Sequence, residues 1–335
     1  MRDRYGRDVT DLRISLTQRC NLRCVFCHME GQHVSDEELS PGEITAAVEA
    51  AVRLGVDRVK LTGGEPTLRS DIVEIVRRLS PLVDEVSMTT NGLLLSRLAG
   101  PLREAGLARV NVSLPSLDRE TYRELTGVDG VESAIAGIRA AAAAGLAPIK
   151  LNVVALDGET DSADSVDRLV SFAQDVGAWV QLIEFENVSG RVDPQVYRSL
   201  HSELGKLSAT AAAKAFARSE NRLHRRPRYT FDANGRPVTV EVVQPVENPA
   251  FCMACTRLRL TSDGHLKGCL MTNRGLVDLR PLLRPTPDAA GLVRAFDRAI
   301  AVRAPFFTGP ETPLPTPTAA GESDAPVSLP VFARP

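Results

Sequence analysis

The sequence predicts an α/β fold built on parallel strands, and two observations carry that prediction. Six strand-like runs recur up to Phe185, and the gaps between them are long enough to hold helices. The first run, residues 11–17, alternates Leu12, Ile14 and Leu16 and reads as a half-buried strand. Next, Ser40, Pro41 and Glu43 supply an N-cap, a first-turn proline and a capping-box carboxylate ahead of an alanine-rich helix to about Leu54. Further strands fall at residues 57–62, 85–90, 108–114, 149–156 and 179–185, with helices at 71–79, 93–105, 131–144 and 164–176. Right-handed crossovers between such strands allow either an open doubly wound sheet or a curved partial barrel, and periodicity does not choose between them.

After about residue 190 the pattern changes. Residues 195–220 read as helical. Residues 228–231 and 238–243 read as a hairpin around Asp232, Ala233, Asn234 and Gly235. A last helix is expected at 290–302. From Thr308 onward seven prolines and few large apolar groups predict a disordered tail. The expected domains are therefore residues 1–190, 191–305 and the tail 306–335.

Composition narrows the function classes. The 335 residues carry 40 Lys and Arg against 42 Asp and Glu, a net charge of −2, so no basic excess points to nucleic acid or to a membrane surface. No apolar run approaches the roughly 18–20 residues of a membrane span, and the charged N-terminus lacks the apolar core of a signal peptide. A cytoplasmic protein is expected.

The six cysteines fall into two tight groups, Cys20, Cys24 and Cys27 near one end of the chain and Cys252, Cys255 and Cys269 near the other. In a cytosolic chain such grouping points to metal or redox chemistry rather than to a disulfide framework. Structural zinc sites take four ligands, whereas each group here offers three thiolates, with His28 the only nearby fourth candidate at the first. Thiolates also hold iron–sulfur clusters, and a cubane with three protein ligands keeps one iron open to a substrate or cofactor. Arg257 and Arg259 are two apart, as in a strand that points both guanidiniums to one face, where their forks suit phosphate oxygens. A solvated edge strand is the plainer reading of that pair.

Cys20, Cys24 and Cys27, in CxxxCxxC spacing directly after the first strand, resemble the signature of the radical S-adenosylmethionine (SAM) superfamily. Gly63, Gly64, Glu65 and Pro66 after the second strand look like that superfamily's GGEP loop, and Phe26 matches the aromatic position beside the adenine. The resemblance implies a partial (βα)6 TIM-type barrel, a 4Fe-4S cluster chelated by SAM, and a 5′-deoxyadenosyl radical that abstracts a substrate hydrogen. The second cysteine group with Arg257, Leu258 and Arg259 narrows this over residues 8–305 to a resemblance to the GTP 3′,8-cyclase (MoaA) family of molybdenum-cofactor biosynthesis, in its archaeal-like branch. That implies a C-terminal α+β extension holding a second 4Fe-4S cluster, and GTP as substrate. The radical would take the ribose C3′ hydrogen and a C3′–C8 bond would form.

Carried over position by position, the resemblance places Arg13, Lys60, Thr90, Lys150, Arg257, Leu258 and Arg259 on the GTP side. Phe26, Gly64, Ser113 and Asn152 fall on the SAM side, and all six cysteines become cluster ligands. It also implies a reductant such as flavodoxin or ferredoxin, and a homodimer. Independently, Arg13, Lys60 and Lys150 would lie on strands of an otherwise apolar sheet, and buried cations need an anionic ligand or carboxylate partners. Two departures from the bacterial pattern are the absence of a C-terminal double glycine and Glu186 in place of a methionine. They leave as alternatives a related enzyme acting on another nucleotide, or one modifying a peptide. The basic run Arg222, His224, Arg225, Arg226 and Arg228 reads as a solvated face. His201 and His265 read as histidines without partners, and His28 as a structural one.

Overall fold

The computed structural model describes residues 1–32, 35–156, 160, 163–186, 217–221, 223–233, 236–246 and 248–306. All six expected strands are present: β1 (Asp11–Ser15), β2 (Arg58–Thr62), β3 (Glu85–Thr90), β4 (Arg109–Ser113), β5 (Lys150–Ala155) and β6 (Trp179–Glu184). They pair in parallel, each with the next in sequence. That order settles the choice left open by periodicity. A doubly wound sheet reverses direction at a switch point, whereas winding always one way keeps the crossover helices on one face and curls the sheet. The ends of the sheet do not meet, so the barrel is partial.

The helices are α1 (Pro41–Val52), α2 (Ile72–Leu79), α3 (Leu95–Glu104), α4 (Arg119–Thr126), α5 (Val131–Ala143) and α6 (Ala163–Asp175). The capping box forms as expected: the Ser40 hydroxyl accepts from the Glu43 amide, and the Glu43 carboxylate accepts from the Ser40 amide. Helix α4 was not expected from the sequence. Its signals are Asp118, which accepts from the Thr121 amide at the N-cap, and Gly127, which ends it with φ +72°.

The C-terminal part lengthens the sheet at both edges. Strands β7 (Ala217–Asn221), β8 (Arg226–Ala233) and β9 (Arg236–Val243) form an antiparallel run that joins β6 through β9. Strands β10 (Arg257–Leu260), β11 (His265–Lys267) and β12 (Val277–Asp278) join β1 through β10, which runs parallel to it. Helix α7 (Pro249–Met253) precedes β10, and α8 (Arg280–Leu283) and α9 (Ala289–Ala301) close the described chain. The expected helix at 195–220 is corrected at its end, because residues 217–221 are a strand. Their polar, exposed sequence shows no alternation, and pairing with β8 overrides local preference. Residues 195–216, the turn residues Asn234 and Gly235, and the tail from residue 307 lie outside the described residues.

Along the strands one parity is apolar. Leu258, Leu12, Val59 and Val86 lie side by side in register, as do Leu260, Ile14, Leu61 and Met88. These residues pack with Ile44 and Val48 of α1, Ile75 and Val76 of α2, Leu102 of α3 and Ile138 of α5 in one core. Leu12 has no exposed surface. Its replacement, Leu12→Ala, is expected to destabilise the fold by about 2–5 kcal/mol through lost burial and a residual cavity, read as a lower denaturant midpoint in anaerobic chemical unfolding.

Candidate functional site

The other parity of the same strands is polar. In register, Arg259, Arg13, Lys60, Ser87 and Arg109 form one row, and Ser113, Asn152, Gln181, Glu241 and Arg228 another. Because the apolar parity faces the helices, these rows line the inside of the partial barrel.

The loop after β1 carries Cys20, Cys24 and Cys27, all with free thiols. Main-chain bonds hold it from two sides. The Gly64 amide donates to Thr17 O at 2.7 Å and the Glu65 amide to Arg19 O at 2.8 Å, while Arg23 N and Val25 N donate to Thr126 O and Leu125 O at the end of α4. A Cβ on Gly64 would lie 2.3 Å from Arg19 O, so only glycine permits this approach. Glu65, 1% exposed, accepts from Thr90 Oγ1, Asn91 N and Thr67 N, and Asn91 in turn donates to Asn21 within the cysteine loop. Burial pushes the Cys24 thiol up, and neighbouring Cys27 and Cys20 raise it further, so the three sulfurs are close enough to feel one another. Among the described residues no three or more His, Cys, Asp or Glu side chains gather as a mononuclear ion would need. Three free thiols on one loop, without a fourth protein ligand among the described residues, fit an iron–sulfur cluster with one open iron.

The second cysteine group lies at the opposite end of the strands. Cys252 and Cys255 precede β10, which is parallel to β1, so they sit at the end where β1 begins. Strand β11 is antiparallel to β10 with Lys267 opposite Arg259, which returns Cys269 to the same end. Burial pushes the Cys269 thiol up, and Cys255 adds to it. The five residues of β1 span roughly 15 Å between the two cysteine groups.

Between them the barrel holds a surplus of positive charge. Glu30, from the loop after Cys27, pairs with Arg259 at 2.5 Å and Arg13 at 3.5 Å. Burial works against its ionisation, yet the two arginines hold the carboxyl down to about 2. Glu241, with no exposed surface, takes Lys150 at 3.0 Å, Arg226 at 3.2 Å and Arg228 at 2.7 Å, and also accepts from Gln181 and Asn221. Burial lowers Lys150 to about 8 despite Glu241. Among the described residues the Lys60 ammonium has only Asn111 Oδ1, at 3.0 Å, and burial with the surrounding cations pushes it well down. The Arg257 side chain makes no hydrogen bond or ion pair with any described residue, and burial lowers it to about 10. An inner face with such unbalanced cations suits a multiply charged anion.

Residues 14–170 match the radical SAM superfamily, and residues 178–308 match the family described as Molybdenum Cofactor Synthesis C. A probable GTP 3′,8-cyclase of Pyrococcus abyssi is 46% identical over 91% of this chain and 99% of its own length. One from Thermococcus kodakarensis is 45% identical over 91% and 99%. The chain belongs to the GTP 3′,8-cyclase family. Among solved structures it resembles Streptococcus suis SuiB bound to S-adenosylmethionine, with a TM-score of 0.60 and 17% identity over 82% of this chain and 62% of that one. It also resembles methylornithine synthase (PylB), with a TM-score of 0.52 and 16% identity over 89% and 84%. At such identities these two show the shared fold alone. Membership of the cyclase family implies a 4Fe-4S cluster with SAM, which the first cysteine loop fits.

Within this cyclase-family fold the carried-over residues are distributed unevenly. Arg13, Lys60, Lys150, Arg257 and Arg259 converge on the inner face, as do Ser113 and Asn152. Phe26 packs beside Leu125, Leu156 and Phe185 behind the cysteine loop. Leu258 lies in the core and can meet a ligand only through its main chain. Thr90 has the parity of Met88 and is bonded to Glu65, whereas Thr89, in register with Asn111, carries a buried hydroxyl without a partner.

Three readings need correction. The basic run is not a solvated face at His224 and Arg226, which are 4% and 7% exposed; Arg226 donates to His224 Nδ1, and His224 stacks on Phe251. Arg222 lies outside the described residues. A left-handed turn at His224 and Arg225, with φ +60° and +50°, lets the run change from exposed to buried within two residues. Second, the edge-strand reading of Arg257 and Arg259 fails, because β10 is flanked by β1 and β11. Third, His265 has a partner, Asp263 at 3.2 Å, which raises its pKa. His201 lies outside the described residues. The sequence reading missed Glu30 and Glu241. Glu241 was signalled as the one charge inside an alternating apolar strand.

Glu30 offers a pH test. Its carboxyl titrates at about 2 when folded against an ordinary 4.5, so it stabilises the fold above about pH 4.5 and that contribution is lost as pH falls through the folded value. Glu30→Gln is expected to cost about 3 kcal/mol at pH 7, the low end for breaking a buried pair, because Arg13 and Arg259, 18% and 11% exposed, lose their ion-pair partner. The same variant is expected to flatten the acid limb of a stability-against-pH curve.

Proposed function

We propose that this chain is a GTP 3′,8-cyclase, converting GTP to (8S)-3′,8-cyclo-7,8-dihydroguanosine 5′-triphosphate, the first step of molybdenum-cofactor biosynthesis. The observation that carries the proposal is the placement of buried cations with incomplete carboxylate partners between two three-cysteine groups at opposite ends of one barrel. Cys20, Cys24 and Cys27 would hold a 4Fe-4S cluster, which with SAM would supply the radical chemistry for removal of the C3′ hydrogen. Phe26, Gly64, Ser113 and Asn152 form the SAM side. Cys252, Cys255 and Cys269 would hold a second 4Fe-4S cluster, whose open coordination position would be available to the guanine base.

The chain's own residues then do the binding. Arg257 and Arg259, two apart on β10, present both forks to the inner face, where a triphosphate satisfies them. Arg13 and Lys60, next to them in register, add charge from β1 and β2. Lys150 is oriented by Glu241, and Thr90 acts from the end of β3. Helices α1 to α5, packed on the outer face, keep water from that side. Division into a barrel of residues 1–190, an extension of 191–305 with the second cluster and a tail of 306–335 belongs to the same proposal. So do a flavodoxin or ferredoxin reductant, a homodimer and a cytoplasmic location. No helix among the described residues is long and apolar enough to cross a membrane.

The test is anaerobic reconstitution, reduction, and incubation with SAM and each of GTP, ATP, CTP and UTP, with products followed by mass spectrometry. GTP alone is expected to yield an isomer of its own mass together with 5′-deoxyadenosine. SAM cleavage with GTP unchanged overturns the substrate assignment. Two kinds of variant sharpen the result. Cys20→Ala is expected to abolish 5′-deoxyadenosine release, whereas Cys255→Ala keeps uncoupled release and loses the cyclised product. Lys60→Met removes a charged contact worth about 1.5–3 kcal/mol and is expected to lower kcat/KM for GTP roughly tenfold to a hundredfold.

A further inference from the structure

Behind the second cysteine group lies a buried ionic cluster that joins the N-terminal residues to the segment after α9. Asp3 Oδ2 accepts from Arg7 Nε at 2.7 Å and from Arg303 Nη1 at 3.0 Å, and its Oδ1 accepts from the Tyr5 and Arg7 amides. The three side chains are 0%, 5% and 2% exposed for Asp3, Arg7 and Arg303. Both arginines also donate to main-chain carbonyls, and Arg303 Nε is buried without a hydrogen-bond partner among the described residues. Arg7 Nη1 donates to Cys252 O at 3.1 Å and to Pro305 O at 2.9 Å, and Arg7 Nη2 donates to Ala304 O. Arg303 Nη2 donates to Cys255 O at 2.9 Å.

The third cysteine is approached as well. A Cβ on Gly268, immediately before Cys269, would lie 3.1 Å from Arg303 Cγ, so the arginine stem packs against the chain that leads to it. The thiols of Cys255 and Cys269 both act electrostatically on the Arg303 guanidinium. Two cations against one carboxylate leave this cluster one net positive charge, buried and in contact with the backbone of the cysteine group. Plain stapling of the termini needs a matched pair only. Burying an extra cation is costly unless an anion lies nearby.

We propose that Asp3, Arg7 and Arg303 position the second iron–sulfur cluster and set its reduction potential, their uncompensated positive charge stabilising the reduced form. This rests on the reading that Cys252, Cys255 and Cys269 hold a cluster. One-electron reduction adds one negative charge to the cluster and its thiolates. Removing the nearby positive charge therefore disfavours reduction, and removing the carboxylate favours it.

The experiment uses the full chain carrying Cys20→Ala, Cys24→Ala and Cys27→Ala, so that the second group is the only cluster site. After anaerobic reconstitution, iron and sulfide are assayed, and the cluster is titrated with dithionite while its electron paramagnetic resonance signal is followed. Added Arg303→Met is expected to lower the one-electron reduction equilibrium constant about tenfold, 59 mV. Added Asp3→Asn is expected to raise it by a similar factor, and Arg303→Lys, which keeps the charge, to stay within about threefold. Shifts of the same sign in Arg303→Met and Asp3→Asn, or no shift in loaded protein, overturn the proposal. Where Arg303→Met does not load iron, Asp3→Asn decides alone, a positive shift supporting the proposal and any other result overturning it. If the parent triple variant binds no iron, the second-cluster reading itself falls, which is a separate outcome.

Discussion

The constraint on which the rest of the structure depends is the uncompensated positive charge on the inner face of the sheet. A strand gives alternate residues to opposite faces, so a sheet whose outer parity is filled with Leu, Ile and Val must put everything else inside. Here that means guanidiniums, ammoniums and amides. Glu30 and Glu241 offset part of the charge, and each does so by taking more than one cation. What they leave, Lys60 and Arg257, has no carboxylate partner among the described residues. A folded protein tolerates that arrangement when a multiply charged ligand completes it. Glu30 also means that Arg13 and Arg259 meet such a ligand already half-satisfied, which favours an anion carrying several charges over a single carboxylate.

The two cysteine groups are held by different physics. Around Cys20, Cys24 and Cys27 the contacts are main-chain hydrogen bonds to the loop after β2 and to the end of α4, with Glu65 and Asn91 tying neighbouring loops together. Most of these bonds fix position without placing a cation beside the sulfurs, and the one ionisable group among them, Glu65, adds to burial in raising the Cys20 thiol. Around Cys252 and Cys255 the carbonyls are held by guanidiniums. That fixes position and places positive charge beside the second cysteine group at once.

Much of this was legible in the sequence, for reasons that can be assigned residue by residue. The six strands show because parity and burial coincide along them, and α1 shows because Ser40 and Glu43 write its start explicitly. The inner cations Arg13, Lys60 and Lys150 could be read as needing an anionic ligand or carboxylate partners because each interrupts an apolar strand, and Arg13 and Lys150 have such partners in Glu30 and Glu241. Helix α4 was missed because its eight residues are mostly polar, with Tyr122 and Leu125 its large buried side chains, although Asp118 and Gly127 bracket it. Strand β7 was missed because the edge pairing that makes it a strand is not a local property. His224 and Arg226 were misread because charge runs are normally solvated, and only the left-handed turn at His224 and Arg225 turns part of this one inward. The Asp3, Arg7 and Arg303 cluster is invisible in sequence, since its members lie far apart along the chain.

The sheet also explains why two sequence families meet in one chain without forming two separate units. Strand β6 belongs to the parallel set and pairs with β9, while β1 pairs with β10, so the C-terminal part supplies a neighbour to both edge strands of the six-stranded set. Without β10 the inner row would lose Arg259 beside Arg13, and without β9 it would lose Glu241, the carboxylate that orients Lys150. The inner face is therefore complete only when the two parts share one sheet. In the six-stranded set alone, Lys150 would keep its buried position and lose its counter-charge. The electrostatic balance of the inner face thus makes the C-terminal extension a structural requirement of the barrel as well as the carrier of the second cysteine group.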